Sequence, residues 1–288
     1  MDIRNVTIVG AGVMGSGIAQ VIANSGFNVL LLSRRGKVGL DRVRRGTQIA
    51  VSRGTLTQEQ ASLLLSRITC KCLSPQAVEE SDLVLETVIE DLSTKVSLFK
   101  QIDAHCAKHV IFASNTSSLS IASLAKATNR PDKVVGMHFF NPAPVMSLIE
   151  VSKAPMTSEE TVNSIVAFSQ SIGKAPLVVD DSPGFIVNKI LMPMINSAAF
   201  VLMDNLAMAE TIDSAMKLGA NHPIGPLALA DLIGLDVCLK IIKEINGRLE
   251  GLNFTICPLI EEMVAKGNLG RKTGQGFFKY ENAFRILK

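Results

Sequence analysis

Apolar positions between residues 6 and 35 change period twice. Val6 to Val9 is a short β-branched run, Ile18, Val21 and Ile22 recur at helical spacing until Gly26 ends the pattern, and a second apolar run leads to Leu32. Strand-like runs return at 82–88 (DLVLETV), 110–118 (VIFASNTSS) and 134–140 (VVGMHFF), with room for helices between them and a helical excursion about 36–68. This alternation predicts an α/β fold built on a doubly wound parallel sheet. After LVVDDSPGF (177–185) the pattern is almost purely helical. GFIVNKILMPMINSAAFVLMDN predicts one long helix bent at Pro193, which has no N–H to give in a helix interior. AETIDSAMKLGA predicts a second, ended by Gly219. PLALADLIGLDVCLKIIKEI carries more apolar surface than one short helix needs, which suits a subunit interface and simple core burial alike. The expected division is therefore a sheet domain over 1–183 and an all-helical domain over 184–288.

With 288 residues, 47% of them hydrophobic, the chain can fill two such cores. A net charge of +3 is too small to argue for a nucleic-acid partner, and no stretch of about 18 apolar residues is present to span a bilayer. The N-terminus runs straight into a strand with no secretion signal, which predicts a cytoplasmic protein or a mature chain whose targeting segment is missing. The five cysteines are odd in number and scattered, and Cys70-Lys71-Cys72 lacks the spacer of a zinc knuckle, so no metal is expected. His105 and His109 are four apart but read as residues of a solvated helix end.

The first strand and helix meet at Gly10-x-Gly12-x-x-Gly15, with Met14 inside the motif. Gly10 permits the tight turn, Gly12 lets a pyrophosphate approach the backbone, and Gly15 lets helix and strand pack closely, so this is a Rossmann-type dinucleotide site. The phosphates would sit on the free N–H groups and positive dipole end of the helix. An acid at the end of the second strand normally binds the ribose 2′-hydroxyl of NAD. Here that place reads Ser33-Arg34-Arg35, which suits a 2′-phosphate and favours NADP(H), with NAD(H) the alternative. The arginines also open a basic run, from Arg34 to Arg53 with Lys37, Arg42, Arg44 and Arg45 between, that could be a solvated helical face or could hold phosphates, the reading that the dinucleotide site favours. Glu90, Asn115, Ser117 and His138 all follow apolar runs, at the carboxyl ends of strands where ligands of such sheets bind.

His138 stands in MHFFNPAP, beside Phe139 and Phe140, where a packed structural histidine is the commoner finding. Pro144, however, lies midway between His138 and Glu150, so a symmetric reversal of the chain sets the two opposite each other. A carboxylate on Nδ1–H would fix the imidazole tautomer, leave Nε2 free and stabilise the imidazolium, which suits proton movement. Beside a nicotinamide that means oxidation of an alcohol or its reverse, with His138 as acid/base and Ser117 and Asn188 as donors to the substrate oxygen.

GAGVMGSGIAQ, ASNTSSLSI, GMHFFNPAPVMSLIEV, DSPGFIVNKILMPMINSA, AMKLGANHPIGPLALADLIGLD and GRKTGQGFF together resemble the L-3-hydroxyacyl-CoA dehydrogenase family over almost the whole chain, in order. Its short bacterial members, which act on 3-hydroxybutyryl-CoA, are the nearest match. The resemblance implies a helical C-terminal domain that forms a homodimer, and an acyl-CoA substrate. It implies His138 as catalytic acid/base, Glu150 as its partner, and Ser117 and Asn188 as holders of the 3-oxygen and acyl group. It places Glu90, Lys95, Asn141 and Lys272 near the cofactor, with Lys95 also reaching CoA, and makes Arg53 a candidate for the CoA adenosine phosphate. The chain departs from the pattern at Ser33, where most members carry an acid.

The leading expectation is NADP-linked interconversion of (S)-3-hydroxybutyryl-CoA and acetoacetyl-CoA. The same chemistry with NAD and longer acyl chains is the alternative. A nucleotide-binding or redox-sensing relative without turnover would have no use for the set Ser117, His138, Glu150 and Asn188, and a dehydrogenase of free 3-hydroxy acids would have little use for the basic segment.

Overall fold

The computed structural model describes residues 3–34, 36, 38–248, 254–282 and 285–286, and its contacts divide the chain into two compact units, Met1–Phe185 and Ile186–Lys288. In the first unit the elements run β1 (Asn5–Val9), α1 (Val13–Asn24), β2 (Asn28–Ser33), α2 (Val38–Ser52), α3 (Gln58–Ser66), β3 (Ile68–Cys72), β4 (Leu83–Glu86), α4 (Leu92–Asp103), β5 (Ile111–Ser114), α5 (Ile121–Ala125), β6 (Val134–Phe139), β7 (Leu148–Lys153), α6 (Glu159–Ser171) and β8 (Ala175–Asp180). They form an eight-stranded sheet in the order β3-β2-β1-β4-β5-β6-β7-β8. The first six strands are parallel; β7 runs antiparallel to β6, and β8 parallel to β7.

The strands are nearly continuous apolar runs because both faces are covered. Alternate residues serve opposite cores: Ile8, Leu31, Leu85, Ile111 and Met137 pack with Ile18 and Ile22 of α1 and Ile165 of α6, while Val9, Leu32, Val84, Phe112 and Val134 pack with Phe99 of α4 and Leu124 of α5. Strand order reverses between β1 and β4, and this switch point opens a crevice at the strands' carboxyl ends.

The second unit comprises α7 (Val187–Met203), α8 (Ala209–Gly219), α9 (Pro226–Ile233), α10 (Leu235–Arg248) and α11 (Pro258–Ala265). Pro193 lies inside α7, and Gly219 is the last residue of α8. The run read as surplus apolar surface is two helices, α9 and α10, hinged at Gly234 with φ 103°. The unit is not purely helical, since Tyr280–Asn282 (β9) pairs antiparallel with Arg285–Ile286 (β10). Such short segments leave no periodic trace in a sequence. Asp231 on α9 holds the approach to this ribbon by accepting from the N–H groups of Phe277 and Phe278 and from the Tyr280 hydroxyl. No helix among the described residues is long and apolar enough to cross a membrane.

Candidate active site

The glycine turn is built by close packing at two of its glycines and open space at the third. Gly10 has φ +115°, and a Cβ there would lie 2.7 Å from the Thr87 carbonyl oxygen. A Cβ on Gly15 would lie 1.9 Å from the Gly10 carbonyl oxygen, whereas one on Gly12 would meet nothing within 4 Å. Gly12 caps α1 without a side-chain hydrogen bond, so the first N–H groups of the helix face the crevice with no cap over them. Met14 packs its side chain against the first core, and what it can offer a phosphate is its backbone N–H. Thr87, just past β4, clamps the turn by donating its hydroxyl to the Gly10 carbonyl at 2.8 Å. The residues present fit a dinucleotide.

A groove of about 1140 Å³ opens beside this turn, with Gly10, Gly12, Ser33, Arg34, Arg42 and Thr94 on its walls. Ser33 ends β2 where the 2′-reading residue belongs, but its hydroxyl donates to the Gly36 carbonyl at 2.9 Å. Arg34 lies exposed on the groove wall, and Arg35 falls outside the described residues.

His138 lies on β6 directly opposite Glu150 on β7 in the antiparallel register, as the reversal about Pro144 predicts. Imidazole Nδ1 and carboxylate Oε2 are 2.8 Å apart, with His138 4% and Glu150 1% exposed. The alternation that sends Met137 and Phe139 into the core sends His138 to the other face of the sheet. The rings of Phe140 and Phe185 pack on the imidazole at centroid distances of 4.5 and 5.7 Å. Asn115 ties neighbouring strand ends together, its Oδ1 accepting from the Phe139 N–H at 2.8 Å and its own N–H donating to the Glu86 carbonyl.

Next to this pair lies a buried charge network that the sequence did not disclose. Glu86, wholly buried at the end of β4, accepts from Lys95 Nζ on both oxygens, at 2.7 and 2.8 Å, and from the Ser114 hydroxyl and the Val88 N–H, each at 2.6 Å. Lys95 also lies 3.2 Å from Glu90, whose other carboxylate oxygen accepts from the Thr116 hydroxyl at 2.6 Å and the Ser117 N–H at 2.8 Å. The chain of contacts thus runs from Glu86 through Lys95 and Glu90 to the loop carrying Ser117. Burial pushes the Glu86 carboxyl upward against the pull of Lys95. Burial acts the same way on Glu90, but there Lys95, Thr116 and Ser117 prevail and hold it below its ordinary value. Lys95 is 1% exposed and held between these carboxylates.

The remaining expected residues are spread more widely. Asn141 is exposed in the β6–β7 connection, and Arg53 is exposed just beyond α2. In the second unit, Asn188 is buried in the first turn of α7, and Lys272 pairs with Asp236 in the first turn of α10. Thr87, Glu86 and Thr116 were not expected, and Arg42 was expected only as one member of the basic run. Of the first three only Glu86 left a signal, as a carboxylate inside an apolar strand, where burial demands a partner.

The family model for the 3-hydroxyacyl-CoA dehydrogenase NAD binding domain matches residues 5–182, and that for the 3-hydroxyacyl-CoA dehydrogenase C-terminal domain matches 184–280. A probable 3-hydroxybutyryl-CoA dehydrogenase of Bacillus subtilis is 43% identical, across 98% of this chain and 99% of its own length. A 3-hydroxybutyryl-CoA dehydrogenase of Clostridioides difficile is 44% identical, across 96% and 99%. Among solved structures, (S)-3-hydroxybutyryl-CoA dehydrogenase from Ralstonia eutropha superimposes with a TM-score of 0.91 at 45% identity, covering 98% of this chain and all of the other. With both family models matched in order over nearly its whole length, the chain belongs to the 3-hydroxyacyl-CoA dehydrogenase family.

Proposed function

We propose that this chain is an oxidoreductase that interconverts (S)-3-hydroxybutyryl-CoA and acetoacetyl-CoA with NADP(H). The observation that carries the reading is the buried His138–Glu150 pair, 2.8 Å apart, in the same sheet as the glycine turn. A bound nicotinamide supplies the group that accepts or gives hydride. His138 Nε2 takes the proton of the substrate hydroxyl during oxidation and returns it during reduction. Glu150 fixes the tautomer that leaves Nε2 available and stabilises the imidazolium that forms. Phe140 and Phe185 keep water from the ring. Ser117 donates to the 3-oxygen, its backbone set by Glu90, and Asn188 is the second donor. Gly10, Gly12, Gly15 and the backbone of Met14 receive the pyrophosphate; Glu90, Asn115, Asn141 and Lys272 are assigned to the cofactor and Arg53 to the CoA phosphate.

The preference for NADP(H) rests on the missing acid at Ser33 and on the arginines around it. The matched family model describes an NAD binding domain, which supports NAD(H) as the second reading. Initial rates of acetoacetyl-CoA reduction with NADPH and NADH, side by side, decide between them. At least tenfold higher kcat/KM with NADPH is expected; a preference for NADH would overturn the cofactor assignment, and turnover with neither would overturn the activity. We also assign a homodimer formed through the second unit, and a cytoplasmic location, in keeping with five cysteines that are all free thiols.

A further inference from the structure

The groove beside the glycine turn carries a cation that neither the sequence motif nor the strand end accounts for. Arg42, on α2, points its guanidinium back across the groove and donates from Nη1 to the Ala11 carbonyl at 2.9 Å. The helix can approach that closely because Gly39, one turn earlier on the same face, has no side chain. A Cβ there would lie 2.5 Å from the Ala11 Cβ and 3.1 Å from Leu31. Arg34 and Arg42 are the ionisable residues lining the groove, and no carboxylate is among its described walls. Asp41, the acid next to Arg42 in sequence, lies 3.6 Å from Arg44 instead.

We propose that Arg42 is the residue of this chain that selects NADP(H) over NAD(H), receiving the ribose 2′-phosphate on a guanidinium already fixed against the glycine turn. This deepens the cofactor reading given above and rests on it. In a doubly wound sheet the ribose 2′ position falls between the glycine turn and the end of β2, where an acid serves a hydroxyl and a nearby arginine a phosphate. At that place in this chain the Ser33 hydroxyl is spent on Gly36, and Arg34 stands exposed on the groove wall. Arg42 is exposed as well but is anchored to Ala11, inside the turn that would hold the pyrophosphate, so its reach to the ribose is set in advance. A guanidinium has five N–H donors, and the bond to Ala11 uses one of them, leaving the fork free for phosphate oxygens. Fixing the group before the ligand arrives lowers the entropy cost of binding.

Dissociation constants of NADPH and NADH, read from nucleotide fluorescence without acyl-CoA, test this independently of turnover. They are compared for wild type, Arg42→Ala, Arg42→Lys and Arg34→Ala. Arg42→Ala is expected to weaken NADPH roughly tenfold to hundredfold, the range of a lost charge-assisted contact, and NADH by less than about twofold. Arg42→Lys should fall between wild type and Arg42→Ala, because a point charge replaces the fork. Arg34→Ala should cost less than Arg42→Ala. Equal weakening of both nucleotides would place Arg42 on the shared pyrophosphate or in the fold of the turn, and would overturn the proposal. Unchanged NADPH binding in Arg42→Ala beside a large loss in Arg34→Ala would overturn it while leaving the NADP(H) reading intact. Wild type binding NADH more tightly than NADPH would remove both. Competition by 2′,5′-ADP and 3′,5′-ADP separates the cofactor from CoA: weaker 2′,5′-ADP alone in Arg42→Ala supports the assignment, and weaker 3′,5′-ADP alone overturns it.

Discussion

Glu90 is the residue through which the buried charges touch the site: one of its oxygens faces Lys95 and the other holds the Ser117 N–H. Because its folded carboxyl is held below the ordinary value of 4.5, the ionised form favours the folded state. That stabilisation is complete above about pH 5 and is lost as pH falls through 4.5 toward the lower folded value. Glu90→Gln should therefore unfold at lower urea than wild type at pH 7, with the gap closing on acidification. A gap constant between pH 7 and pH 4 would contradict the ionised assignment. At this scale the sequence disclosed the pair His138 and Glu150, because a hairpin centred on Pro144 is local and its register can be counted. It did not disclose the partners of Glu86, which come from positions 95 and 114 on other elements and meet only after the sheet has formed.

The glycine turn tests how β1 and α1 share space. Gly15→Ala drives a methyl into the Gly10 carbonyl, 1.9 Å away, and that neighbour is backbone and cannot swing aside. Overpacking of this kind costs roughly 1–3 kcal/mol, so Gly15→Ala should lower the thermal midpoint measurably. Gly12→Ala meets nothing within 4 Å and should change stability by no more than about 0.5 kcal/mol, while NADPH binding weakens because the methyl occupies the approach to the helix N-terminus. Calorimetry and nucleotide titration on the two variants check the contrast; equal loss of midpoint would contradict it. At the scale of elements, β1, α1, β2, β4, β5, β6, α7 and α8 were legible from period and punctuation. β3, with its run ITCKC, lacks a clean apolar run, and β8 at the sheet edge leaves its apolar Leu177 and Val178 exposed, so neither was. The ribbon of β9 and β10 is too short to show a period at all.

Over the whole molecule, the second unit bares large apolar side chains on α8 and the segment before it: Leu206 is 78%, Met208 73% and Leu218 87% exposed. The homodimer proposed above would cover these side chains. Light scattering should give the mass of a dimer for wild type, and Leu206→Asp with Leu218→Asp should shift it toward the 30.9 kDa monomer. A monomeric wild type would contradict the homodimer. The two-part organisation was legible because the hydrophobic period changes near Pro183, whereas partner surfaces leave no such mark.

The proton of the proposed reaction is assigned to His138. That assignment is tested most directly by the rate of acetoacetyl-CoA reduction by NADPH in wild type and His138→Gln, with the NADPH dissociation constant measured on the same preparations. A fall in kcat of roughly 10² to 10⁴ is expected, with NADPH binding within about twofold of wild type. A His138→Gln enzyme that turns over near the wild-type rate would contradict it.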